Sequence, residues 1–206
     1  MMDMDTYVYE YGSGLYVNLT NRCNNNCAFC LRHTNQGVGS HRLWLEHEPT
    51  AEQVIEKMQD LSAYEEVVFC GFGEPTLAWE TLKQIAAYVK QQGKPVRVNT
   101  NGLGNLANGR DITPEAEGLV DTFSISLNAA TPEAYQELCH SQYGLQALSA
   151  LLEFAKLASR CVPHVVFTVV DSIGPEEIEK SRELAQRCGA KLRVRAYVEN
   201  WEESAD

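Results

Sequence analysis

The chain has 206 residues, of which 44% are hydrophobic and 22% charged, and a formal net charge of -11. That length and composition suit one soluble globular domain with its own core. An acidic surface repels phosphate backbones, so a large DNA or RNA footprint is excluded, while a small phosphorylated substrate held by a few local arginines is not. The N-terminal Met1-Met2-Asp3-Met4-Asp5 is acidic and has no apolar core, which argues against a signal peptide, and no apolar run approaches the ~18 residues of a membrane span. Seven cysteines are too few for a disulfide scaffold in a chain this long, so a reduced, cytoplasmic setting is expected. No linker or repeat divides the chain, and a single domain over 1–206 is expected.

In chain order, Tyr7 to Tyr11, Gly12-Ser13-Gly14 and Leu15 to Thr20 read as strand, tight turn and strand, a β-hairpin. A cysteine-rich loop follows, then an irregular stretch from Leu31 to Glu48 holding three of the five histidines, His33, His41 and His47. A loop of this length in a compact domain points to function. It reads either as a substrate-facing flap, with Arg32, His41, Trp44 and Glu46 as contacts, or as a solvated loop anchored by Trp44. Thr50-Ala51-Glu52-Gln53 is a capping box opening a helix to about Ser62. Glu66 to Cys70 is a strand that ends in Gly71-Phe72-Gly73-Glu74-Pro75. Leu77 to Gln92 is a helix stopped by Gly93 and Pro95. Val96 to Asn99 is a strand, Thr113-Pro114-Glu115 starts a short helix, and Thr122 to Leu127 is a strand. Helices from Thr131 and from Leu145 to Ser159 follow, then a strand from Val165 to Val170. A helix from Pro175 to Cys188 and a last strand from Leu192 to Ala196 complete the pattern, and Glu199 to Asp206 reads as an acidic tail.

Six strands alternating with helices imply parallel pairing through right-handed crossovers. Buried parallel strands are normally apolar throughout. Here Phe123, Ile125 and Leu127 alternate with Ser124, Ser126 and Asn128, and Val96 and Val98 with Arg97, Asn99 and Asn101. Leu192 and Val194 alternate in the same way with Arg193, Arg195 and Tyr197. Period two gathers the polar set on one face. The apolar face must meet the helices, and the polar face must line a wet or ligand-filled interior. That predicts an α/β fold, an open partial (βα)6 barrel of parallel strands with a short N-terminal hairpin extension. Ligands in such folds sit at the carboxyl ends of the strands.

At the end of the first barrel strand stands Cys23-Asn24-Asn25-Asn26-Cys27-Ala28-Phe29-Cys30, a C-x3-C-x2-C spacing. Thiolates on one tight loop suit iron or zinc, and three of them leave a metal position open for a cofactor or substrate. A zinc site with a distant fourth ligand and three free thiols are the other readings. Cys70 is the one plausible distant ligand, because Cys139, Cys161 and Cys188 fall on or beside helices and read as buried thiols.

The motif, with an aromatic residue before its last cysteine, resembles the radical S-adenosylmethionine (radical SAM) enzymes. The resemblance implies that Cys23, Cys27 and Cys30 hold three irons of a 4Fe-4S cluster and that SAM chelates the fourth. Reductive cleavage of SAM then gives a 5'-deoxyadenosyl radical that abstracts hydrogen from substrate, with a flavodoxin or ferredoxin as electron donor. Gly71-Phe72-Gly73-Glu74-Pro75 resembles the family's Gly-Gly-Glu-Pro element, which implies SAM contacts at Gly73 and Glu74. By the same resemblance Asn99, Asn101, Ser126 and Asn128 meet the SAM ribose or carboxylate, and Phe29 lies beside adenine. No apolar-glycine adenine motif stands out around Val166 to Ile173.

Leu19 to Cys23, Phe69 to Thr76 and Asn99 to Asn105 resemble the small radical SAM proteins called TatD-associated. The activity linked to that neighbourhood is queuine lyase, which frees the base queuine from queuosine 5'-phosphate. The expected substrate is therefore a small molecule, a modified nucleotide in the leading reading, with Arg32, Trp44, Glu46, Arg193 and Arg195 as its contacts. A guanidinium fork suits a phosphate or the SAM carboxylate, while pairing with lumen carboxylates is the other reading of both strand arginines. Modification of a peptide or protein, and a non-enzymatic iron-sulfur protein, are the competing functions. Peptide-modifying relatives usually carry a further Cys-rich domain.

Overall fold

A computed structural model describes residues 5–33, 37 and 41–196. Among these residues seven strands form one sheet whose spatial order is the chain order. They are β1 (Val8–Tyr11), β2 (Gly14–Val17), β3 (Glu66–Phe69), β4 (Val96–Thr100), β5 (Thr122–Ser126), β6 (His164–Val170) and β7 (Lys191–Arg195). The β1/β2 pair is antiparallel, and every later pair is parallel. β1 and β7 do not pair, so the barrel is open, with the hairpin at one edge as expected. Gly12 closes that hairpin at φ +57°, a left-handed conformation glycine adopts without strain.

The helices are α1 (Ala51–Lys57), α2 (Trp79–Gln91), α3 (Gly104–Asn108), α4 (Pro132–Cys139), α5 (Gln146–Ala158) and α6 (Pro175–Arg187). The Thr50/Gln53 capping box forms with both hydrogen bonds in place. The helix it opens is shorter than the expected run to Ser62. Met58 turns extended and is buried, and Asp60 caps a separate 3-10 turn at Leu61–Ala63. Thr113–Ala116 is likewise a 3-10 turn. α3 was not anticipated, although Gly109, in the left-handed region after Asn108, is an ordinary helix stop.

Val96, Val98, Phe123, Ile125 and Phe167 point to the helices and are fully buried in the main core. The opposite face of β4 and β5 carries partly exposed Arg97, Asn99, Thr122, Ser124 and Ser126. The sheet is thus apolar toward the helices and polar toward its concave interior. A second small apolar cluster, Tyr9, Leu43 and Phe72, lies apart from the main core. Tyr16 packs on Tyr9 and Tyr11, so the tyrosines of β1 belong to packing, as edge residues should. No helix among the described residues is long and apolar enough to cross a membrane.

Candidate active site

The loop after β2 carries the three cysteines and is held from three directions. From below, Glu74 N–H donates to Arg22 O at 2.8 Å. A Cβ on Gly73 would stand 2.2 Å from Thr20 O and 2.6 Å from Arg22 O. The glycine is therefore required by close approach of the cysteine loop, a packing reason separate from any ligand contact. From the side, Asn26 N–H and Ala28 N–H donate to Cys139 O and Leu138 O, both at 3.0 Å. Those carbonyls end α4 and have no partner within the helix, so the loop caps it. From the loop itself, Arg32 donates to Cys30 Sγ at 3.3 Å, Asn21 O at 3.3 Å and Asn25 O at 2.9 Å. Arg32 was expected at the substrate, and its guanidinium clamps the cysteine loop.

Glu74 sits at the centre of this construction, 3% exposed. Its carboxylate accepts from Thr76 N at 3.1 Å, Thr76 Oγ1 and Thr100 Oγ1 at 2.7 Å each, and Asn101 N at 2.8 Å. Burial pushes the carboxyl up, and these donors pull against it. A carboxylate with four internal donors ties the end of β3 to the end of β4, an architectural role that stands beside the SAM contact expected of Glu74 through its acid or a backbone carbonyl. Its carbonyl accepts from Leu77 N at 3.0 Å.

Each thiol has a hydrogen-bonding neighbour. Cys23 Sγ is approached by Asn25 N at 3.5 Å and Asn101 Nδ2 at 3.9 Å. Cys30 Sγ meets Arg32. Cys27 shares a hydrogen bond with the Cys139 thiol, which raises Cys27 well above the usual thiol range, with burial adding to it. The same bond lowers Cys139. Burial and the nearby Glu74 charge push Cys23 up to about 11. Cys23 and Cys27 thus hold their protons more tightly than an ordinary thiol, and binding iron releases them.

Cys139 was read as a buried thiol on or beside a helix, and it is fully buried at the end of α4. Its carbonyl accepts from Asn26 beside Cys27, whereas Cys70, the candidate fourth ligand of the non-enzymatic reading, lies between Tyr9 and Asn99 on the lumen side. Among the described residues no three His, Cys, Asp or Glu side chains converge on a single ion. A 4Fe-4S cluster binds each thiolate to a different iron, which fits spread thiols better than a mononuclear zinc site does. Asn24 Nδ2 and Asn25 Oδ1 are buried beside these cysteines and find no hydrogen-bond partner among the described residues, which leaves polar atoms for a bound group to satisfy.

The remaining anticipated residues spread along the lumen. Phe29 is 53% exposed on the cysteine loop, open to a ligand face. Asn101 donates to Asn24 Oδ1, so part of its bonding belongs to the loop. Asn99 accepts from Arg97 at 3.2 Å. Ser126 is half-buried at the end of β5. Asn128 adopts φ +62° and donates to Cys139 Sγ at 3.3 Å. Trp44 stacks edge-on against Phe72 at 5.3 Å, and Glu46 is exposed. Leu43 O and Leu45 O accept from Asn18 and Asn21 at 2.8 and 2.7 Å, and the amides of Glu46 and His47 donate to Asp5. Residues 41–48 are therefore pinned to the strand ends, and most of 34–40 lies outside the described residues. Arg193 and Arg195 are exposed on β7 and form no salt bridge among the described residues, so the reading that pairs them with lumen carboxylates has no support there. Arg97 is the paired one, donating to Glu66 at 2.6 Å. Tyr197 falls outside the described residues.

A loop of three thiols at the carboxyl edge of an open parallel barrel defines the class. The Radical SAM superfamily model matches residues 17–185, and the chain belongs to that superfamily, whose cofactors are a 4Fe-4S cluster and SAM. The chain is 27% identical over 188 residues to a "Probable GTP 3',8-cyclase" of Thermococcus kodakarensis, covering 88% of this chain and 56% of that protein. Its fold is similar to that of Streptococcus suis SuiB bound to the precursor peptide SuiA, with TM-score 0.68 and 14% identity over 93% of this chain and 41% of SuiB. It is also similar to a radical SAM methyltransferase of Sphaerobacter thermophilus, with TM-score 0.60 and 15% identity over 96% and 70% of the two chains. The chain spans little more than half the length of the cyclase.

Proposed function

We propose that this radical SAM enzyme acts on a phosphorylated nucleoside, and specifically that it is a lyase releasing queuine from queuosine 5'-phosphate. One observation carries the substrate class: a polar lumen whose far wall presents guanidinium groups that form no salt bridge among the described residues. A half-open pocket of about 200 Å³ is lined by Glu66, Arg97, Thr122, Ser124, Val166 and Arg193. Arg97 is neutralised by Glu66 and positioned by it, while Arg193 brings a net positive charge to the pocket. A planar fork of donors recognises a phosphate bidentately, and hydroxyls such as Ser124 can complete the seat. The Thermococcus relative's name speaks of GTP, which belongs to the same chemical class.

In this reading Cys23, Cys27 and Cys30 hold the cluster. Phe29, Asn99, Asn101, Ser126 and Asn128 face SAM, together with the backbone around Gly73. When bound, the cluster and SAM supply a 5'-deoxyadenosyl radical for hydrogen abstraction from the nucleotide sugar. Arg193 and Arg195 fix the phosphate, which sets the sugar's depth in the lumen. Trp44, packed on Phe72, walls the reacting region from water, and Glu46 stands at its rim. The cytoplasm, with a flavodoxin or ferredoxin as reductant, is the setting in which such a cluster is kept reduced.

The test is an anaerobic assay of reconstituted protein with dithionite and SAM, with and without queuosine 5'-phosphate. 5'-Deoxyadenosine that rises with the nucleotide, together with free queuine, is the expected result. Slow 5'-deoxyadenosine that ignores the nucleotide rejects this substrate. The fold shared with a peptide-bound neighbour gives the second reading, modification of a peptide, which predicts product only with a peptide present.

A further inference from the structure

On the lumen face of β4, Arg97 ties three strands together. Its Nε and Nη2 donate to the Glu66 carboxylate at the start of β3, at 3.1 and 2.6 Å. Nη2 also donates to the Tyr16 hydroxyl on β2 at 3.4 Å, and Nη1 donates to Asn99 Oδ1 at 3.2 Å. The strand register accounts for this reach. Tyr16 lies beside Val68 and Val68 beside Arg97, so the three form one row across the sheet, and Val68 between them is fully buried. Asn99 stands two residues further along β4, on the same face as Arg97. The Arg97 and Glu66 side chains are only 20% and 32% exposed, and a largely buried pair with more than one N–H on the carboxylate gives the fork a fixed orientation.

Donor and acceptor chemistry then sets the orientation of Asn99. A guanidinium has donors and no acceptor. The Asn99 atom that meets Arg97 is therefore its oxygen, and the amide nitrogen, on the other branch of the same group, is turned away from Arg97. The side away from Arg97 is the carboxyl end of β4, where the cysteine loop stands. An asparagine held in this way offers N–H alone, whereas one left free can turn over and offer its oxygen instead. The ribose hydroxyls of SAM donate as well as accept, but its carboxylate only accepts. A fixed N–H therefore suits the carboxylate, and a hydrogen bond to a charged acceptor is the stronger kind.

We infer that Arg97 is a positioning residue for SAM: by holding the Asn99 oxygen, it makes Asn99 present its N–H to the SAM carboxylate. This rests on the reading of Asn99 at SAM and is independent of the nucleotide reading, because it concerns the cofactor before any substrate enters.

The experiment is equilibrium dialysis of radiolabelled SAM against anaerobically reconstituted protein, without reductant so that SAM stays intact, with iron and sulfide measured on each sample. Asn99→Ala is expected to weaken SAM binding about tenfold. Asn99→Asp keeps the shape and the bond to Arg97 but puts an oxygen where the N–H was, and it should weaken binding at least as much. Arg97→Met leaves the amide free to turn, so only part of the population is competent and binding should weaken about threefold. In the Asn99→Ala background, Arg97→Met should move binding by less than about 1.5-fold, because a residue that acts through Asn99 has nothing left to hold. A merely structural role would give the same loss in both backgrounds, and that result overturns the inference. Where Arg97→Met does not load iron, Asn99→Asp decides, and wild-type binding in it overturns the inference. Wild-type binding in Asn99→Ala overturns the reading of Asn99 at SAM and the inference with it. A tenfold loss in Asn99→Ala beside wild-type binding in Arg97→Met overturns the inference alone.

Discussion

Two regions of the lumen are built on opposite principles. Around the cysteine loop the groups that position it are bonded within the protein, and Asn24 Nδ2 and Asn25 Oδ1 are left without a partner among the described residues. Glu74 joins β3 to β4, Arg32 and Asn101 bind the cysteine loop, and α4 is capped by that loop. Along β7 the two arginines stand exposed and unpaired among the described residues. The first arrangement fixes a geometry that one chemistry requires, and the second leaves charge available for whatever enters. Rigidity and vacancy are thus separated within one sheet, and substitutions in the two regions should fail in different ways.

The largest effect is expected from Glu74→Ala. Removing a buried carboxylate with four donors leaves those groups unsatisfied, at a cost on the order of 3 kcal/mol or more. Urea unfolding should show that loss, with iron loading falling alongside it. Gly73→Ala comes next, because its Cβ would press on Thr20 O and Arg22 O, both backbone atoms. A loss of ~1–3 kcal/mol is expected, with lowered iron content in the folded protein. Arg193→Ala and Arg195→Ala sharpen the contrast. Stability should move by no more than about 0.5 kcal/mol and iron content should not change. The KM for the nucleotide should rise about tenfold for each. An unchanged KM would remove the phosphate role from these residues.

The smallest effect concerns pH. Burial works to raise the Glu48 carboxyl, but hydrogen bonds from Arg22 and Thr20 outweigh it and leave it below its ordinary value. Its contribution to stability is therefore present above the unfolded value of about 4.3 and is lost as pH falls through the lower folded value. Both side chains are more than a third exposed, so after solvent screening less than about 1 kcal/mol is at stake. Glu48→Gln should flatten the acid limb of a pH–stability curve by that small amount. An unchanged limb would show that the bidentate pair with Arg22 adds nothing measurable.

The parts legible in the sequence were those written in local periodicity. The alternation Phe123-Ser124-Ile125-Ser126 gave both faces of β5, and the cysteine spacing gave the loop. The capping box at Thr50 was visible, but the helix length was not, because burial of Met58 in an extended conformation is a tertiary effect. Arg32 and Asn101 were seen as residues at the site, while their partners were not, since those lie on the cysteine loop and on no periodic pattern. Cys139 was the hardest to place. A cysteine at a helix end looks like any buried thiol until the fold brings α4 against the loop after β2. Gly73 was noticed for its flexibility, while its close approach to Thr20 O and Arg22 O was not visible, because those atoms come from a loop about fifty residues away in the chain.

A sheet whose strands lie in the order of their synthesis also has a history. Each strand from β2 onward leaves the ribosome with its partner already made, and chains are elongated at about 5–20 residues per second. The loop of thiols emerges early, but its last support is the end of α4, which emerges well after it. Until that helix arrives, the nascent chain has the cysteines without Cys139 or the carbonyls that fasten them. The support of the cysteine loop is therefore complete only once the middle of the sequence has been read.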